Sequence, residues 1–102
     1  MSGYVYFMAN VHNTVLYIGV TSNLEKRVWE HKNGAHKDSF AFKYKCRKLV
    51  YYEAYGGIKT AIAREKQLKN WKRAWKDSLV AKENPNWRDL AYGLEDCGSS
   101  PQ

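Results

Sequence analysis

The chain has 102 residues and a formal charge of +7, enough for one domain around one core and too short for a second folded module. No stretch approaches the roughly 20 apolar residues of a membrane span, and the first residues lack the charged start, apolar segment and small-residue cleavage site of a signal peptide, so a cytoplasmic location away from membranes is expected. The charge is uneven: residues 1–82 hold 16 Lys and Arg against 6 Asp and Glu, whereas residues 83–102 hold 1 against 4. A folded part near +10, with Phe40, Phe42, Tyr44 and Trp75 interleaved among the cations, points to nucleic acid as the partner. Cys46 and Cys97 are far apart, and His12, His31 and His36 are scattered, so free thiols and no structural zinc are expected.

In chain order, residues 3–9 (GYVYFMA) and 15–20 (VLYIGV) read as short strands, and the polar link Asn10 to Thr14 suits an antiparallel hairpin. A turn centred between Val11 and His12 predicts that Tyr6 stands directly opposite Tyr17, with Cβ atoms about 5 Å apart. Thr21 or Ser22 is then expected to cap a helix from about Asn23 to Lys32, with Leu24 and Val28 buried and Gly34 as the stop. Arg27 and His31 lie four apart on one face of it. Residues 33–45 read as a polar, basic loop suited to a phosphate backbone. Leu49 to Tyr55 (LVYYEAY) predicts a third strand, broken by Gly56 and Gly57.

The next segment, Ile58 to Trp71, carries an anomaly. Ile58, Ala61, Ile62 and Leu68 follow helical spacing, and Glu65 falls within their stripe. An unpaired buried carboxylate costs several kcal/mol in desolvation, so Glu65 needs a buried cation or a metal ion, unless it turns to the surface and pairs with Lys69 at i+4. The helix is expected to bend near Asn70 and continue through Lys72 to Lys82 with Trp75, Leu79 and Val80 inward, ending before Pro85. One further turn is expected to dock Trp87 and Leu90. The domain then spans residues 1–92, and residues 93–102 form a disordered tail.

Tyr4-Val5-Tyr6, Tyr17-Ile18-Gly19, Arg27 with His31, and Glu65 in an Ala-Arg-Glu-Lys-Gln-Leu-Lys context together resemble the GIY-YIG nuclease family, over nearly the whole chain to about Leu90. The closest likeness is to its small stand-alone bacterial members. The resemblance implies an α/β (α+β) fold, a single compact domain with a central three-stranded antiparallel sheet flanked by helices. It also implies an Mg²⁺-dependent (or Mn²⁺-dependent) endonuclease acting on DNA, selective for structure, in DNA repair or processing. Carried over residue by residue, the catalytic set is Tyr6, Tyr17, Arg27, His31 and Glu65, with Glu65 as the metal ligand.

These residue types suit phosphodiester hydrolysis, which needs an activated water, neutralised phosphoryl oxygens and a stabilised leaving alkoxide. One carboxylate and several waters can hold Mg²⁺. Arg27 can clamp a phosphate bidentately. A tyrosine titrates near pH 10 unless a cation depresses it, so either Tyr6 or Tyr17 needs Mg²⁺ or Arg27 nearby to serve as base. The chain departs from the family pattern in three ways: Tyr-Val-Tyr replaces Gly-Ile-Tyr, Val20 stands where some members have a lysine that Lys26 or Lys32 would have to replace, and the asparagine that closes the site in some members has no firm counterpart, Asn70 being one candidate. With no appended reading domain in the chain, target choice is expected to be weak or delegated to a homodimer or protein partner. The competing reading is a non-catalytic nucleic-acid-binding module that keeps the fold.

Overall fold

The computed structural model describes residues 2–34 and 43–91; the expected tail at 93–102 and the aromatics Phe40 and Phe42 lie outside them. Three strands, β1 (Gly3–Ala9), β2 (Leu16–Thr21) and β3 (Lys48–Tyr55), form an antiparallel sheet in the order β2-β1-β3. Among the described residues three helices accompany it: α1 (Leu24–Asn33), α2 (Ile58–Lys69) and α3 (Arg73–Glu83). This is the α+β architecture expected from the sequence.

Strand alternation sorts the core into two layers. Val5, Phe7, Ala9 and Ile18 face α2 and α3 and pack on Ala61, Leu68 and Val80. Tyr6, Met8 and Leu49 face the other way and pack on Leu24 and Val28 of α1. A bulge after Phe7 pairs Phe7 with Tyr51 and Met8 with Leu49, which leaves Val50 as the extra residue and lets Val50 and Tyr51 both join the α2 side. Asn84, only 4 % exposed, locks the chain after α3. Its side-chain amide donates to the carbonyls of Val50 and Arg88 and its Oδ1 accepts from the Arg88 N–H. Asn84, one residue before Pro85, therefore does much of the work of ending α3. Trp87 and Leu90 dock on the two core layers as expected.

Several expectations need correction. The hairpin turn centres one residue later than predicted, because Asn10 Oδ1 accepts from the Val15 N–H at 2.9 Å and Asn13 takes a positive φ of 59°. Tyr6 therefore pairs with Gly19 and Tyr17 with Met8. The slip is an even number of residues, so both tyrosines keep the same face, as diagonal neighbours. The cap of α1 is Asn23, whose Oδ1 accepts from the Lys26 N–H, while Thr21 Oγ1 accepts from the Asn23 N–H. Gly34 stops α1 in the left-handed region at φ 67°. Trp75 is 55 % exposed instead of inward, edge-on to Trp71, because α2 ends at Lys69 and α3 restarts from Lys72 with a different face inward.

The Tyr6–Gly19 pairing has a steric reason. A Cβ on Gly19 would lie 2.4 Å from Tyr6 Oη and 2.5 Å from Cζ, so the bare backbone of β2 is the space the ring occupies. Gly19→Ala is expected to destabilise the fold by about 1–3 kcal/mol through overpacking and to displace the Tyr6 ring; an unchanged melting temperature would contradict this account.

Candidate functional site

On the α1 side of the sheet, Tyr6 is fully buried and its hydroxyl joins two helical side chains. Arg27 Nε donates to Tyr6 Oη at 3.3 Å, and Oη lies 2.9 Å from His31 Nε2. The four-residue spacing of Arg27 and His31 presents both to the same hydroxyl. Tyr17 completes the cluster, its ring centroid 6.1 Å from that of Tyr6 and 5.4 Å from that of His31, edge-on to the imidazole. His31 is buried, whereas Tyr17 and the Arg27 head, 35 % exposed, reach solvent. Arg27 Nη1 also donates to Glu30 Oε1 at 3.3 Å. The structure thus brings together four of the five residues singled out in the sequence.

Burial decides how the two tyrosines differ. Desolvation pushes the Tyr6 phenol above its ordinary 10.0, and the hydrogen bond from Arg27 offsets this only in part. Tyr6 is therefore a neutral phenol that holds Arg27 and His31 in place. The same hydrogen bond raises the Arg27 guanidinium further above its ordinary value, so its charge is permanent.

Glu65 lies apart from this cluster. It is buried on α2, as its stripe position predicts, yet its Oε2 pairs with Lys69 Nζ at 2.7 Å. Both sequence alternatives, burial and the i+4 ion pair, are realised together. Among the described residues no hydrogen bond or ion pair joins its carboxylate to the tyrosine–arginine cluster, and its partner Lys69 meets Tyr17 at the outer edge of β2. There a groove of about 330 Å³ is lined by Leu16, Tyr17, Ile18, Lys69 and Lys76.

What sets α2 was not anticipated. Glu53 of β3 accepts from Arg64 Nε at 2.9 Å and Arg64 Nη2 at 3.1 Å, and from the hydroxyls of Tyr51 and Tyr55 at 2.5 Å each. This bidentate pair clamps the residue before Glu65 to the sheet. The sequence signal was a lone acid in an aromatic strand, with a partner far along the chain.

The donor set bears on which metal fits. Among the described residues no group of three or more His, Cys, Asp and Glu can form a protein cage. Glu65, already holding a cation in the form of the Lys69 ammonium, suits a hard ion that keeps most of its water and shares the substrate's phosphate. Lys32, one of the two lysines that could stand in for the missing lysine at Val20, pairs with Asp89 and donates to the Arg47 carbonyl. Asn70 is exposed and ends α2 through its backbone N–H.

The model of the GIY-YIG catalytic domain matches residues 2–78. The chain belongs to the GIY-YIG family. A UPF0213 protein of Syntrophus aciditrophicus is 37 % identical over 82 residues, covering 80 % of this chain and 92 % of that protein. A UPF0213 protein of Natronomonas pharaonis is 37 % identical over 80 residues, covering 78 % of this chain and 92 % of that protein. The solution structure of a UPF0213 protein from Bacillus halodurans shares the fold, with a TM-score of 0.53 and 22 % identity, covering 88 % of this chain and 94 % of that one. The domain is thus of the nuclease kind, whose substrate class is nucleic acid. Among the described residues of this GIY-YIG protein, no helix is long and apolar enough to cross a membrane.

The Glu53 clamp sets a pH dependence. Burial alone would raise the Glu53 carboxyl, but Arg64 and the two tyrosine hydroxyls hold it below its ordinary 4.5. The stabilisation is therefore complete above the unfolded-state value near 4.5 and is lost as pH falls through the lower folded value. Arg64→Met should move the midpoint of acid unfolding to higher pH, measured by circular dichroism; an unmoved midpoint would remove the clamp from the stability account.

Proposed function

We propose that this GIY-YIG protein is a metal-dependent endonuclease that hydrolyses phosphodiester bonds in DNA, selecting its targets by structure more than by sequence, in DNA repair or processing. The observation that carries the reading is the Tyr6 hydroxyl, which holds Arg27 and His31 at one point beside Tyr17. One neutral partner satisfies a buried phenol; here a guanidinium and an imidazole converge on it, and the guanidinium head reaches solvent.

In this reading Arg27 clamps the scissile phosphate through its exposed head and meets the charge that develops on the phosphoryl oxygens. Tyr17, partly exposed and beside His31, orients the attacking water and takes its proton as the phenolate, its own proton having first passed to solvent, a loss that the neighbouring Arg27 charge favours. Tyr6, buried and neutral, positions both helical side chains and does not touch substrate. Glu65 would hold Mg²⁺ or Mn²⁺, which when bound supplies charge neutralisation and stabilises the leaving alkoxide. DNA is drawn in by the basic surface. Beyond the α1 C-terminus a cleft of about 690 Å³ carries His12, Tyr44, Lys45, Arg47 and Lys48, where phosphates and a stacked base find partners.

The reading is tested on duplex, branched, flapped and single-stranded substrates with Mg²⁺ or Mn²⁺, comparing the wild type with Glu65→Gln. That change keeps volume and hydrogen bonding but removes the charge that holds a hard cation, so cleavage should vanish in a folded protein. Retained cleavage would exclude Glu65 from the mechanism, and no cleavage by the wild type on any substrate would favour a binding module without catalysis.

Arg27 is already paired with Glu30, so it adds little to ground-state attraction. Arg27→Ala should accordingly lower the cleavage rate by orders of magnitude while changing DNA affinity only modestly, and equal losses in both would refute the clamp role. Affinity should fall steeply with added salt and vary little with sequence. A shallow slope with strong preference for one sequence would count against phosphate-dominated binding.

A further inference from the structure

We infer that Lys69 is a displaceable counter-ion: it neutralises Glu65 while no divalent cation is bound, and when the carboxylate takes the metal its ammonium turns into the groove beside Tyr17 and Lys76, where it binds a backbone phosphate of the nucleic acid. The inference rests on Glu65 being the metal-holding residue.

Three features support it. The Glu65 carboxylate is 12 % exposed while the Lys69 side chain is 54 % exposed, so the anion is fixed and the cation is free to swing on its flexible stem. A divalent ion and an ammonium cannot share one carboxylate without strong repulsion, so metal binding must expel Lys69. The place it can go is already formed. Lys69 and Lys76 line the same groove as Tyr17, and Lys76 Nζ sits 3.5 Å from the Lys69 carbonyl at the end of α2.

The electrostatics make this a coupling device. With Lys69 on Glu65, the groove presents one ammonium, that of Lys76, that pairs with no carboxylate among the described residues. Once Lys69 is released, two ammonium groups face the same groove, an arrangement that attracts an anion between them. Metal and phosphate therefore favour each other, and by linkage each raises the affinity for the other. The bridge also joins Glu65, on one side of the sheet, to Tyr17 on the other.

The test uses Mn²⁺ binding to the DNA-free full chain, followed by calorimetry. Lys69→Met removes the competitor and should tighten Mn²⁺ binding several-fold, and Lys69→Gln should do the same if either variant folds poorly. Glu65→Gln should lose Mn²⁺ binding. A second measurement, in an Arg27→Ala background that leaves strands intact, compares duplex affinity with and without Mn²⁺. The metal should strengthen DNA binding more when position 69 is Lys than when it is Met. Unchanged or weaker Mn²⁺ binding by a folded Lys69→Met protein, or an equal metal-induced gain in DNA affinity for Lys and Met, would overturn the inference alone. Wild-type Mn²⁺ affinity in Glu65→Gln would instead overturn the assignment of the metal to Glu65.

Discussion

The Tyr6 hydroxyl has no route to water, and the site is organised around satisfying it. A buried phenol oxygen needs partners, and α1 supplies them from two successive turns, Arg27 and His31. For those side chains to arrive, α1 must start at Asn23 and lie against the sheet through Leu24 and Val28. For the ring to lie flat enough, β2 must carry no side chain at Gly19. The glycine that closes the second tyrosine motif is thus explained by the tyrosine that closes the first. The two motifs are one packing unit seen twice along the chain.

A sheet has two faces, and the proposed site uses both. The tyrosines, Arg27 and His31 occupy the α1 face, whereas α2 brings Glu65 to the opposite face. The faces meet at the outer edge of β2, which is why the order β2-β1-β3 matters: with β2 in the middle, Tyr17 and Lys69 would have no common groove. The Glu53–Arg64 pair then sets the rotation of α2. Turning that helix by one residue would carry Glu65 about 100° around its axis, to solvent or into the apolar layer.

The elements themselves were legible because their periodicities are strong and Gly34, Gly56 and Gly57 punctuate them. So was the clustering of Tyr6, Tyr17, Arg27 and His31, since faces survive an even shift of register. The register was misread because the turn depends on Asn10 bonding across the loop and on Asn13 in the left-handed region, which are cooperative features of six residues and not a local propensity. The cap was misassigned between three adjacent capping residues, where only the backbone path tells which side chain faces the helix. The sequence places Trp75 inward by extending the α2 stripe through Asn70, but three residues outside both helices, Asn70, Trp71 and Lys72, reset the phase. The Glu53–Arg64 clamp and the Asn84 fastener were invisible because both depend on partners brought near by the completed fold.

The same long-range logic explains how a chain this basic can keep its reactive cations orderly. Arg27 is held by Glu30, Lys32 by Asp89 and Lys69 by Glu65, each on or beside a surface that faces the polyanion. Such pairs contribute little to stability where they are exposed. In the proposed reading their effect would be to fix geometry and to lower local attraction, so that the diffuse field of the remaining lysines would govern encounter while the paired cations would engage only when a phosphate competes for them. An anion arriving at Arg27 or Lys69 exchanges one partner for another at small net cost in the ground state. The gain is reserved for the moment when charge on the phosphoryl group grows beyond that of the carboxylate it replaced, which is the condition under which binding energy accelerates a reaction instead of merely retaining a substrate.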